Sequence, residues 1–187
     1  MASFRPLVLF GLFLAAACSG KDPYNPGTSL GTFHVSATLT SSTCGEVPNP
    51  WEFDVKLSHE ESTLYWIQGG APVQGIMDRT SRATMKTTDA RELRAADAKR
   101  KLPACVVSRD DLLDVALAGD KADVPLATAA EATRFTGKLT YRFSPTQGSE
   151  CSDQTLDQGG DFAALPCEVA YDLAATQTKK PDQKPQQ

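Results

Sequence analysis

Histidine is scarce in this chain: His34 and His59 are the only two in 187 residues. Imidazole is the side chain that most readily trades protons near neutral pH, so base-assisted chemistry has two places to stand. His34 falls on the polar face of an alternating stretch and His59 in the polar turn Leu57-Ser58-His59-Glu60-Glu61, both ordinary settings for a solvated ring. The serine-nucleophile elbow, the His-Glu-x-x-His zinc helix, the phosphate-binding glycine loop and the dinucleotide fingerprint are all missing. No Cys-x-x-Cys occurs either, which removes the commonest zinc and redox spacing. The sequence therefore offers no catalytic residue and no cofactor, and the expectation is a protein that is not an enzyme. Carboxylate-based hydrolysis, which leaves little sequence trace, is the catalytic class still allowed for and ranks third among the functional readings. The net charge of −4 gives no basic excess to hold nucleic acid.

The apolar run at residues 7–17 is well short of the ~20 residues needed to span a bilayer. It follows Arg5 and ends in Ala15-Ala16-Ala17 before Cys18, the charged, apolar and small-residue order of a secretory signal. The stretch Leu14-Ala15-Ala16-Ala17-Cys18 resembles the cleavage box of bacterial lipoproteins, with Ala15 where that family prefers Leu, Val or Ile and Leu14 one place further out. The resemblance implies removal of residues 1–17 and lipidation of Cys18. Ser19 stands where an Asp would direct retention in the inner membrane, so the implied location is the outer membrane, with the membrane itself as partner through the lipid anchor. An ordinary cleaved signal is the alternative; it would leave Cys18 as a lone thiol.

Residues 18–30 form a tether after the lipidated cysteine: Pro23, Pro26, Gly20 and Gly27 punctuate a stretch with almost no apolar residue to bury. Residues 176–187 lack any hydrophobic side chain and are expected to be a disordered tail. Between them, residues 31–175 have the size of one domain.

Four stretches of this domain alternate apolar and polar residues with a period of two. One face carries Phe33, Val35, Ala37 and Leu39; the second stretch has Trp51, Phe53, Val55 and Leu57. The third has Phe135, Leu139, Tyr141 and Phe143, and the fourth Cys167, Val169, Tyr171 and Leu173. Strand side chains point alternately to opposite faces, so each stretch predicts a strand with one buried and one wet side, the habit of antiparallel sheets. Residues 63–67, 83–87, 104–108 and 113–117 are shorter strand candidates. Residues 89–101 open on Asp89 with Glu92 three places on and continue rich in Ala, Arg and Lys, which predicts a short surface helix. Residues 119–133 are expected to be a long loop ending in a helical turn. The fold class is therefore all-β: a small antiparallel barrel or sandwich of about eight strands. Its bulky inward set predicts a packed interior rather than a ligand cavity.

Apart from Cys18, the cysteines are Cys44, Cys105, Cys151 and Cys167, an even number that an exported chain should pair. Four cysteines allow three pairings. Chain proximity favours Cys151 with Cys167 and Cys44 with Cys105, worth about 3 and 4 kcal/mol by loop closure. Residues 79–101 are mainly basic and residues 150–172 carry acids without Lys or Arg. The basic stretch could attract anionic headgroups or polysaccharide, but a solvated face is the simpler expectation. Glu150, Asp153, Asp157 and Asp161 beside Gly159-Gly160 supply hard oxygen ligands of the kind calcium takes, in a spacing that matches no calcium loop.

Ser42-Thr43-Cys44-Gly45, residues 148–153 and Leu165-Pro166-Cys167 are together similar to uncharacterised secreted lipoproteins of myxobacteria and their relatives, which bring no known activity. Gly31-Thr32-Phe33 resembles the Gly-x-Trp of lipocalins, with Phe in place of Trp. The expected function is a non-enzymatic binding or structural module of the cell envelope, with an envelope protein as a further candidate partner. The alternative is a lipocalin-like carrier of a small apolar ligand, and a cavity lined by Trp51 and Phe143 would favour it.

Overall fold

In the computed structural model, residues 22–121 and 124–181 are described. The expected signal segment, Cys18 and the last half of the expected tail, residues 182–187, lie outside them. Eight strands run in chain order: β1 (Thr28–Ser42), β2 (Trp51–Glu60), β3 (Thr63–Ile67), β4 (Val73–Met77), β5 (Arg82–Arg94), β6 (Cys105–Ala118), β7 (Arg134–Pro145) and β8 (Cys167–Lys179). Each pairs antiparallel with the next, and β8 returns to β1 to close a barrel. Closure leaves no free edge along the paired lengths, which removes the usual route to strand-on-strand aggregation.

The two-residue periods place the inward faces as expected. Phe33, Val35, Val55, Leu57, Leu64, Met85, Val115 and Phe135 are all buried, with Phe33 and Leu57 at 0% exposure. Gly137 sits inside β7 where a Cβ would come within 2.2 Å of the Asp114 carbonyl, so only glycine allows β6 and β7 to approach this closely.

Three expectations are corrected. Residues 89–94 are not helix; they extend β5, and of residues 95–101 only Asp97 joins a bridge, to Leu102. Residues 104–108 and 113–117 are one strand, β6, and β4 is a strand the periodicity did not show. The two errors cancel in the count of eight. At the boundaries, β1 begins at Thr28 within the expected tether, and β8 continues to Lys179 within the expected tail. The loop after β6 ends, as expected, in a turn of helix at Ala129–Glu131.

The cysteines pair Cys44–Cys167 and Cys105–Cys151, which corrects the pairing by chain proximity. Barrel closure is the reason: β8 lies beside β1, so Cys167 at the start of one strand meets Cys44 just past the end of the other. Likewise Glu150 donates its amide to the Ala104 carbonyl at 3.1 Å, which brings Cys151 to Cys105 at the start of β6. Both bridges lie at one end of the barrel, the mouth. The chain enters at Thr28 and leaves at Lys179 at the opposite end, the base.

Candidate functional site

The wall of the barrel is uneven at the mouth. β4 pairs with β5 only from Met77↔Ala83 to Gly75↔Met85, whereas β5 and β6 stay paired out to Arg94↔Cys105. The far half of β5 therefore rises beyond β4. Above this point the inward positions of β5 and β6 change character, because Thr87 faces Asp111 and Asp89 faces Arg109. Polar residues at inward positions are what a mouth open to water allows and a sealed core does not.

Arg109 makes a two-pronged ion pair with Asp111, Nε to Oδ1 at 2.6 Å and Nη2 to Oδ2, and its guanidinium carbon lies 4.7 Å from the centre of the Tyr141 ring. The bond to Asp111 raises the Arg109 pKa above its ordinary value. Burial pushes the Tyr141 phenol up to about 12, with the Asp111 charge adding and the Arg109 charge opposing. This polar sector borders a small recess of about 170 Å³ that also touches Trp66, Gln68 and Val73.

Across the mouth the lining is aromatic. Trp51 packs 4.5 Å from Phe53, 5.7 Å from Tyr171 and 6.4 Å from Tyr141, centre to centre. Phe53 meets Trp66, Trp66 meets Phe135, and Phe135 meets Phe33, so a chain of rings runs from the mouth into the core. Phe143 packs on Phe162 of the loop between β7 and β8 at 5.5 Å. These rings surround a cleft of about 350 Å³, with Trp51, Tyr141, Phe143, Phe162 and Tyr171 as walls. Its rim carries Glu46 and Asp161, and among the described residues no basic side chain lines it. The Tyr171 hydroxyl donates to the Pro48 carbonyl at 3.2 Å, and the Ala163 amide donates to the Cys44 carbonyl at 2.7 Å. Together with the Cys44–Cys167 bridge these bonds hold both rim loops in place.

The expectation of a filled interior is thus corrected at one end. Phe33, Leu139 and Tyr171 are buried, but Trp51, Phe53, Tyr141 and Phe143 are only partly so. A larger hollow of about 830 Å³ lies on the outer wall over β5 to β8. It is lined by strand backbone and mixed charges such as Asp78, Arg82, Asp114 and Lys138, with no aromatic ring, and this is the chemistry of a solvated wall.

The calcium candidates are not brought together. Asp153 accepts from Arg94 Nε at 2.6 Å, Glu150 from the Ser152 amide at 3.0 Å, and Asp157 from Gln158 at 3.2 Å, while Asp161 is on the cleft rim. Among the described residues, no group of three or more His, Cys, Asp or Glu side chains is placed to hold a metal ion. Arg94 also donates to the Pro103 and Glu150 carbonyls, so the basic and acidic stretches meet in one pin that fastens the loop between β7 and β8 to the top of β5. The hydrogen bond from Arg94 lowers the Asp153 pKa.

His34 is on the outer wall between Asp54 and Glu52, with nitrogen to oxygen distances of 2.8 and 3.1 Å. The neighbouring Ser36 hydroxyl donates to Glu52, not to His34. His59 lies near the end of β2, paired with Thr28 at the base. Sequence reasoning singled out Trp51 and Phe143 but missed Phe162, Arg109 and Asp111. Phe162 sits in an acidic, glycine-containing loop with no periodicity around it; Arg109 and Asp111 are charges that interrupt the alternation of β6 and carry no motif.

The fold and its mouth define a closed eight-stranded antiparallel barrel with an aromatic cleft at the disulfide-braced end. Compared with known proteins, the chain matches no family model, no curated protein and no solved structure.

Proposed function

We propose that this protein is a lipid-anchored binding module of the cell envelope that takes a small apolar ligand at the mouth of its barrel, in the manner of a lipocalin and without catalysis. The observation that carries this reading is the cleft of about 350 Å³ walled by Trp51 and Phe143. Small-molecule sites are concave, mostly apolar and roughly 300–1,000 Å³ in volume, so this cleft fits a ligand at the small end of that range. An eight-stranded barrel has room for one small ligand or for side chains; here the side chains fill the base and leave the mouth. The lipobox-like stretch ending in Cys18 supports anchoring, and Ser19 after it, where an Asp would direct inner-membrane retention, supports an outer-membrane location.

Native mass spectrometry of the protein purified from an oxidising compartment, with no ligand added, tests the binding role. A retained apolar adduct that is lost in Phe143→Ala is the expected result. A bare mass, short only of the protons given up to the disulfides, would overturn the carrier reading in favour of an envelope structural role. The anchor has its own check: labelled palmitate should enter the wild-type chain and not Cys18→Ala.

A further inference from the structure

We propose that the cleft selects an organic cation, a quaternary or tertiary ammonium on a compact apolar body; this deepens the binding role proposed above and rests on it. Three features of the mouth lead to this ligand class. First, Trp51, Tyr141, Phe143, Phe162 and Tyr171 wall the cleft. The faces of such rings are negative and attract a cation by their quadrupole, most strongly where water is thinned out. Second, the two charged residues of the lining are both acids, Glu46 and Asp161. They belong to different loops, brought to one rim by the Cys44–Cys167 bridge and the Ala163 to Cys44 hydrogen bond. Third, the cation that lies over Tyr141 is already spoken for: both prongs of Arg109 are held by Asp111, and with Asp89 facing Arg109 across β5 and β6 that sector has no positive charge to spare.

Arg109 is also informative by its position. A guanidinium rests 4.7 Å from the centre of Tyr141, so a ring at this mouth already receives a cation on its face. A ligand cation in the neighbouring cleft would meet the same kind of ring surface with two carboxylates at the edge. A carboxylate or sulfonate there would face Glu46 and Asp161 with no basic partner among the described lining residues, and an uncharged ligand would gain the apolar contacts alone.

The probes are three molecules of one shape: benzyltrimethylammonium, its uncharged isostere neopentylbenzene, and the anion phenylmethanesulfonate. Each is titrated into the full chain with tryptophan fluorescence as readout, since Trp51 is in the cleft and Trp66 in the adjoining recess. The cation is expected to bind at least about fivefold more tightly than neopentylbenzene, and the anion to give no saturable change. In the double variant Glu46→Gln, Asp161→Asn that preference should shrink toward parity while neopentylbenzene affinity holds. In Phe143→Ala both should weaken. If neopentylbenzene binds as tightly as the cation to the wild type, the charge selectivity falls and the apolar cleft stands. Cation binding that is unchanged in both variants would place the site elsewhere and overturn the proposal. If none of the three binds, the proposal and the carrier reading fall together.

Discussion

His34 shows at the level of one residue how the outer wall differs from the mouth. The hydrogen bond its ring donates to Asp54 holds its pKa above the ordinary 6.5; desolvation opposes this, and the charges of Asp54 and Glu52 add to it. The folded chain thus binds this proton more tightly than the unfolded chain does. The resulting stabilisation is complete below 6.5 and is lost as pH rises through the raised folded value. Following the ring by NMR should give a midpoint above 6.5 in the wild type and a lower one in Asp54→Asn, with a flatter loss of stability over the same window; a wild-type midpoint at 6.5 would contradict the bridge. Inside the barrel, position along the axis decides the effect of removing a ring. Phe135 is 1% exposed, and Phe135→Ala should cost about 3–5 kcal/mol in chemical denaturation. Phe143 is only partly buried in the cleft, so Phe143→Ala should cost less than half as much and reveal itself in ligand binding instead. Equal losses would mean that the mouth is packed like the core.

Among the elements, the strands that were legible are those with one dry and one wet face. β1, β2, β7 and β8 carry long alternating runs, and β3 was bounded by its turn residues. β4 escaped because its central inward position is Gly75, while its largest apolar side chain, Ile76, faces solvent at 69% exposure. The far half of β5 escaped for the opposite reason. It rises beyond β4 with solvent around it, so Asp89, Arg91 and Glu92 could be charged on either face, as protected edges often are, and the alternation vanished into a helix-like composition. β6 was split at Arg109 and Asp111, the residues that form the polar sector of the mouth, so the local rule failed where the candidate site begins. The disulfides were legible as a set and not as pairs, because closure of the barrel is a long-range fact that neighbouring cysteines do not report. Non-reducing peptide mapping should return Cys44 joined to Cys167 and Cys105 to Cys151. The first bridge spans 123 residues, and replacing both of its cysteines by serine should cost up to about 5 kcal/mol by loop closure. The same replacement should also weaken ligand binding, because this bridge fixes the rim that carries Glu46. Loss of stability with full binding retained would separate the bridge from the site.

The whole molecule has two unlike ends. The mouth holds the disulfides, the aromatic cleft and the rim carboxylates; the base holds the entry of the chain at Thr28 and its exit at Lys179. These ends are set by strand pairing, while the described chain before β1 lies against the outer wall, where Tyr24 and Asn25 share a hollow with Lys56, Ile67 and Gln68. The base depends on β8 closing onto β1 along its full length, including residues whose polar composition suggested a tail. Thr32 is aligned with Lys179 and Phe33 with Gln177. Gln177 gives its amide to the Thr133 carbonyl at 2.8 Å and its side chain to the Leu30 carbonyl at 2.7 Å. A chain ending after Ala175 loses this seam at the base, whereas one ending after Lys180 keeps it. At about 1 kcal/mol for each net hydrogen bond, the shorter chain should be about 2–4 kcal/mol less stable in chemical denaturation, and the longer one should match the full chain. Both should still bind ligand when folded, since the cleft is at the far end of the barrel. Equal stability of the two truncations would return β8 to its expected end near residue 175 and leave the barrel open at its base.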